Sequence, residues 1–338
     1  MKSKSYIRDI KLCHALHLLT EKLSFRLAAK PDKRIFLHCG LHKTGTTSLQ
    51  RFLHSNRSLL TDSGYAYPKS GLFSYAHHNL AWELVDDERF SASRGNIAEL
   101  LREISCTHQH VILSSEDFEG CIAGTAAFHN FTNDLKRLNL RPIVIVYLRS
   151  QDCYASSLYF QLLQHGYNCD FSEFIDEIIA TGSLKFKAWR FWFDYEQLIR
   201  LLRKTGCEHW VQKYSEIPRT DIVRDFCGLL GINTNPEPIS YQDHPRIDLQ
   251  EAYSHFLKNT HFPLQDDEAR LAGLFSFANQ QVDIGVSIRR RLAACFNRKN
   301  RILKQYFDKP FEIYPYSRSE SNTLERVFSR TRSSSHRK

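Results

Sequence analysis

Short apolar runs alternate with stretches of helical periodicity from residue 34 to residue 232. RIFLHC (34–39) has the length and composition of a buried strand. TTSLQRFLH (46–54), directly after it, sets Leu49, Phe52 and Leu53 on one helical face. SGYAYP (63–68) reads as a short strand closed by Pro68, NIAELLREI (96–104) as a helix, and HVILSS (110–115) as a second buried strand. A helix over 128–140, the strand PIVIVYLRS (142–150), and helices over 152–165, 172–180 and 194–206 follow. The last of these stops at Gly206, before a strand in HWVQKY (209–214) and a helix over 221–232 that ends near Gly231. The aromatic block FKAWRFWFDY (186–195) falls in a stretch that reads as helical. It looks more like core than like a stacking surface for a sugar or an adenine.

Strands alternating with helices of 10–15 residues predict an α/β fold with a central parallel sheet flanked by helices on both faces. In such sheets ligands bind beyond the carboxyl ends of the strands. Three chemistry-bearing segments fall there: the loop 39–48, Ser114–Phe118, and the chain from Arg149 onward.

The 338 residues are 42% hydrophobic, with 23 Phe and 15 Tyr, which excludes a disordered chain. The expected division is an amphipathic helical extension over 1–32, one domain over 33–310, and a basic, loosely ordered tail over 311–338. The extension carries Leu12, Leu16, Leu19, Leu23 and Leu27 at helical spacing and ends before Pro31. Such a helix packs on its own domain or makes peripheral contact with a membrane surface. No apolar run approaches the ~18–20 residues of a spanning helix, and charges and His interrupt the N-terminus where a signal peptide would be apolar. The nine cysteines are scattered without CxxC pairs, so reduced thiols and a cytoplasmic location are expected. Cys39 reads as a small buried residue. The net charge of +9 points to an anionic partner, though no DNA- or RNA-binding motif accompanies it and no nucleic acid is expected.

The loop HCGLHKTGTTSLQ carries the strongest chemical signal. Gly40 and Gly45 have the G-x-x-x-x-G spacing of a phosphate-binding loop. Where nucleotide-hydrolysing P-loops place a lysine after the second glycine this chain has Thr46, and its lysine comes earlier, at Lys43. A strand–loop–helix of this kind presents backbone N–H groups at a helix N-terminus, an anion site, and Thr44, Thr46, Thr47 and Ser48 add hydroxyl donors.

KTGTTSLQ after a hydrophobic strand resembles the 5′-phosphosulfate loop of sulfotransferases that use 3′-phosphoadenosine 5′-phosphosulfate (PAPS). The resemblance implies a P-loop-type three-layer sandwich, PAPS as donor cosubstrate, and Lys43 acting on the bridging oxygen that departs with the phosphate. The family has an Arg after a central strand and a Ser eight residues on, both reading the donor's 3′-phosphate; YLRSQDCYASSLYFQ supplies Arg149 and Ser157 at that spacing. More weakly, 194–232 and 296–307 look like the later part of bacterial carbohydrate- and heparan-type members. The C-terminal R-x-G-x-x-G-D-W-K-type segment of the cytosolic small-molecule enzymes is absent, which puts a steroid or phenol acceptor in doubt.

Sulfonyl transfer to a hydroxyl resembles phosphoryl transfer: it needs the donor held in line, charge stabilised on the departing phosphate, and a base for the acceptor's proton. Lys and Arg supply the positive charge, and no carboxylate cluster for a metal is evident. Glu116 in ILSSEDF is one candidate base, with a raised pKa expected from burial. His77 or His78 in SYAHHNLAWEL is the other, and the choice stays open; Asp117 is a less favoured neighbour of Glu116. The expected acceptor is a carbohydrate or another hydroxyl-bearing molecule. The competing readings are a P-loop nucleotide or small-molecule kinase and a non-enzymatic anion-binding protein.

Overall fold

The computed structural model describes residues 33–122, 126–214, 222–234, 255, 258–259, 275–278 and 281–314. The expected helix over 1–32 and the tail beyond 314 lie outside these residues.

Five parallel strands form the central sheet in the order β2-β3-β1-β4-β7: β1 (Lys33–His38), β2 (Tyr65–Ala66), β3 (His110–Ser114), β4 (Leu140–Leu148) and β7 (Glu208–Lys213). The middle strands are apolar on both sides because both sides are covered. Side chains alternate across a strand. Ile35, Leu37, Val111, Leu113, Val144 and Val146 therefore join one core, while Phe36, Ile112, Ile143 and Ile145 join the other. α1 (Thr46–Ser55) and α10 (Ile222–Leu230) cover the second face through Leu49, Phe52, Leu53, Phe226 and Leu230. On the first face lie α4 (Ile97–Ser105), α6 (Ala126–Arg137), α7 (Gln151–Gln164), α8 (Phe171–Thr181) and α9 (Tyr195–Lys204). This is the three-layer α/β sandwich expected from the sequence. β4 begins two residues earlier than its apolar run suggests, at Leu140. Pro142 is tolerated there because β7 pairs with β4 only from Ile143 onward.

Three differences have local causes. The aromatic block is a β-hairpin, β5 (Ser183–Phe186) with β6 (Trp189–Trp192), turning at Lys187 with φ 53°. Aromatic side chains favour a pleated, half-buried surface, and that preference outweighs the helical reading. Phe191, Trp192, Phe193 and Tyr195 are buried, so the second half of the block is core. Between the main strands sit the short helices α2 (Arg57–Asp62), α3 (His78–Leu84) and α5 (Phe118–Ile122). The domain also runs past residue 310, where a tail was expected to begin. Phe311 stacks on Phe307 and meets Tyr195, and the Ile313 amide donates to Asn297.

An antiparallel pair, β8 (Phe275–Ala278) and β9 (Gln281–Ile284), leads into α11 (Val286–Phe296). α11 packs on α7 through a buried ion pair, Arg289 with Asp152 at 3.3 Å. Gln151 and Asn300 exchange side-chain hydrogen bonds beside it. Removing one member of a buried pair leaves the other charge without compensation, so Arg289→Leu should cost about 3–5 kcal/mol in urea denaturation. The double variant Asp152→Leu/Arg289→Leu should recover most of that loss. Equal instability of the single and double variants would mean that the pair does not act as a unit.

Candidate functional site

β1 ends at His38 and the chain crosses Cys39–Gly45 into α1. Lys43 (φ 64°) and Gly45 (φ 77°) are both left-handed, a conformation a lysine adopts only at a cost. Alternating backbone handedness of this kind turns successive amides to one side and makes an anion nest. A Cβ on Gly40 would lie 2.9 Å from His38 Nε2 and from Thr46 Cγ2, so only glycine fits there. No acidic side chain stands in the first turn of α1, which leaves its positive end open to an anion.

The hydroxyls differ in what they offer. Thr44 is buried and its Oγ1 donates to the Leu41 carbonyl at 2.6 Å, so it closes the loop from within and does not supply the outward donor expected of it. Thr46 is buried against Gly40, whereas Thr47 and Ser48 are partly exposed.

Arg149, at the end of β4, reaches across the sheet edge and donates from Nη1 to the Lys43 carbonyl at 2.8 Å. Tyr195 holds Arg149 from behind by donating its hydroxyl to the Arg149 carbonyl. Tyr214, just past β7, lies 5.7 Å from the Arg149 guanidinium. The same ring stands close enough to Gly45 that a Cβ there would touch it at 3.4 Å. Ser157 sits midway along α7, partly exposed, and its side chain makes no hydrogen bond to the described residues. The structure thus joins Arg149 to the loop, while the Ser157 side chain makes no hydrogen bond to either.

The turn after β3 carries three polar or ionisable groups in succession, Ser115, Glu116 and Asp117, and His78 at the start of α3 faces them. His78 Nδ1 is 2.9 Å from Ser115 Oγ and 3.5 Å from Asp117 Oδ2. Asp117 also accepts from Trp82 Nε1 at 2.6 Å and Trp189 Nε1 at 3.1 Å, and its Oδ1 is 3.6 Å from His42 Nε2. A carboxylate beside Nδ1 favours the proton on that nitrogen and leaves the Nε2 lone pair available. No described residue bonds His78 Nε2.

Glu116 departs from expectation. Burial alone would raise its carboxyl, but the neighbouring His78 and His42 imidazoles and a 2.6 Å hydrogen bond from Gln50 Nε2 outweigh it and hold the group at about 2. A carboxylate so stabilised is a weak base.

His77 is also unsuited to the role. It is fully buried, its Nε2 bonds the Pro68 carbonyl at 3.1 Å, and its Nδ1 accepts the Ser114 amide at 3.2 Å. Burial pushes it down to about 3. With both nitrogens engaged, His77 braces the chain beside β3 and has no free site for a proton.

An aromatic shelf borders His78. Trp82 stacks on the imidazole at 5.8 Å, and Phe73 lies 5.1 Å from Trp82. Phe73 is 38% exposed and the Arg94 guanidinium caps its ring at 4.2 Å. Arg89, bonded to Asp87, lies 4.7 Å from each of Trp82 and Trp189. Two surface clefts, one lined by Arg57, Tyr67 and Glu103 and one by Lys185, Arg190 and Trp192, share no residue with the loop, Arg149 or His78.

Sequence reasoning missed Tyr214, Glu119, the indole and histidine contacts of Asp117, and the Trp82–Trp189–Arg89 group. Only Asp117 left a signal, as an acid following a buried strand. The others depend on contacts between residues far apart in the chain.

No protein-family model and no curated protein matches the chain. Among solved structures, a sulfotransferase from Alicyclobacillus acidocaldarius is similar over 70% of this chain and 98% of its own, at 18% identity and a TM-score of 0.39. Mouse sulfotransferase SULT7A1, complexed with PAP, is similar over 70% of each chain, at 12% identity and a TM-score of 0.35. Among the described residues no helix is long and apolar enough to cross a membrane, and no group of three or more His, Cys, Asp or Glu is arranged to hold a metal.

His77 gives a pH-dependent test. It is neutral in the fold down to about 3 but protonates near 6.5 when unfolded, so its contribution is present above pH 6.5 and is lost as the pH falls toward 3. His77→Asn lacks that titration. Its stability deficit relative to the wild type should shrink by about 2 kcal/mol between pH ~6.5 and ~5 in urea denaturation. A deficit that does not change with pH would show that His77 is not held neutral.

Proposed function

We propose that this protein is a PAPS-dependent sulfotransferase that moves a sulfonate group to an acceptor hydroxyl, with His78 as the base. The observation that carries the reading is the Arg149–Lys43 contact of 2.8 Å. It unites the two parts of the chain that resemble the donor-binding motifs of that family, although they lie far apart in sequence. A P-loop kinase would want a lysine where Thr46 stands.

The chemistry follows from the groups at the sheet edge. The loop amides and Lys43 face the donor's 5′-phosphosulfate, and Arg149 offers a planar fork to its 3′-phosphate. Tyr214, beside both Gly45 and Arg149, is suited to pack against the nucleoside. The acceptor oxygen attacks sulfur, the bond from sulfur to the bridging phosphate oxygen breaks, and that oxygen leaves with the phosphate, where Lys43 and the loop amides stabilise its charge. The acceptor's proton passes to His78 Nε2. Asp117, at 3.5 Å from Nδ1, orients the imidazole and stabilises its charged form, and ionised Glu116 adds to that stabilisation.

A carbohydrate is the acceptor class best suited to the shelf beside His78. The C–H face of a sugar packs on an exposed aromatic ring such as Phe73, and Arg94, which covers one face of that ring, suits a polar or anionic substituent beside it.

Calorimetric titration with adenosine 3′,5′-bisphosphate, without metal, tests the donor site. Arg149→Ala should bind at least roughly tenfold more weakly than the wild type, in line with loss of a charge-assisted contact. Unchanged affinity would remove Arg149 from the site. For the base, PAPS turnover over a panel of sugars should fall roughly 10²–10⁴-fold in His78→Ala with bisphosphate affinity retained, and less in Glu116→Gln. A larger loss in Glu116→Gln than in His78→Ala would reverse the assignment.

A further inference from the structure

Glu119 is the second residue of α5, fully buried, and the proposed reaction does not use it. Its carboxyl joins three separate elements. Oε2 accepts the backbone amide of His42 at 3.2 Å, in the loop immediately before Lys43. Oε1 accepts the Trp192 amide of β6 at 2.7 Å. The Tyr154 hydroxyl of α7 stands 3.2 Å from Oε1 and 3.3 Å from Oε2. Among the described residues no cationic side chain pairs with it. The groups facing it are the His42 imidazole, lowered by burial; Tyr154 from α7 and Tyr195 from α9, both raised by burial; and Asp117 from its own turn. Arg149 is the cation in reach of the two tyrosines.

We propose that Glu119 is a positioning residue for the donor loop, and that the loop accepts its polyanionic nucleotide only while Glu119 carries a proton. The proposal rests on the donor-site reading above. A neutral acid keeps the His42 and Trp192 amides in place, and its own O–H can donate to Tyr154 Oη. An ionised carboxylate in the same position puts a buried negative charge, with no cationic partner, directly behind the loop proposed to hold the nucleotide's phosphates. Burial, outweighing the three donors and aided by Asp117, pushes Glu119 up to about 8, so at neutral pH it is the acid. As pH rises through that range the proton leaves the empty protein, and binding must take it up again.

The test is calorimetric titration of the full-length protein with adenosine 3′,5′-bisphosphate between pH ~7.5 and ~9.5, in two buffers of different ionisation enthalpy. The wild type should bind roughly tenfold more weakly at pH ~9 than at ~7.5, taking up close to one proton per nucleotide at the higher pH and little at the lower. Glu119→Gln, always neutral, should show a nearly flat affinity over the same range. The proton uptake of the wild type decides the matter if that variant does not fold. Tight binding that neither weakens nor takes up a proton at pH ~9 overturns the role of Glu119 and leaves the donor site intact. A folded Glu119→Gln that keeps the full pH dependence also overturns it. Absence of bisphosphate binding at every pH instead removes the donor reading, and the role of Glu119 with it.

Discussion

Parallel in-register pairing sets where the chemistry lies. His38 at the end of β1 stands level with Ser114 of β3 and Ile145 of β4, and the ladder continues just past it, with the Cys39 amide on Ile145 and the Ser115 amide on His38. The phosphate-type loop, the acidic turn and Arg149 therefore leave the sheet along one edge. A shift of either neighbour by one residue would turn every apolar side chain of that strand to the opposite core. The Ile35/Leu37 and Phe36 sets lie in different cores, so the packing that stabilises the sandwich also fixes the site.

The edge holds carboxyls with opposite fates three residues apart. Glu116 meets imidazoles and the Gln50 amide and stays ionised. Glu119 is sealed among neutral donors and keeps its proton. The contrast comes from environment alone, and divergent environments of this kind separate groups with different tasks. Between them Asp117 accepts from two indoles and faces two histidines, the placement of an orienting group.

Much of this was legible in the chain. The apolar runs located β1, β3 and β4, because strands buried on both faces are largely apolar, whereas the edge strand β7 was marked by the Gly206 stop before it. The glycines and Lys43 marked the loop, because Gly40 must leave room for His38 and Thr46 and Gly45 must be left-handed. Arg149 could be placed because it ends a strand adjacent to β1. Choosing among Glu116, His77 and His78 could not be done from sequence, since burial and partners decide it. The adjacent histidines show this best: the helix start turns His77 inward onto Pro68 and Ser114, and leaves His78 at the surface of the site. Nothing in the sequence marks Glu119, since its three partners lie at positions 42, 154 and 192. The hairpin at 183–192 was misread because its aromatic residues satisfy a helical and a pleated pattern alike over so short a stretch.

The central claim is that the edge recognises a nucleotide by its 3′-phosphate as well as its 5′ end, without metal. Comparing the binding of adenosine 3′,5′-bisphosphate and adenosine 5′-phosphate to the wild type in the presence of a chelator tests it most directly. The account predicts that the 3′-phosphate strengthens binding by more than roughly tenfold, the scale of a charge-assisted Arg–phosphate contact. Equal affinities for the two nucleotides, or a requirement for Mg²⁺, would contradict it.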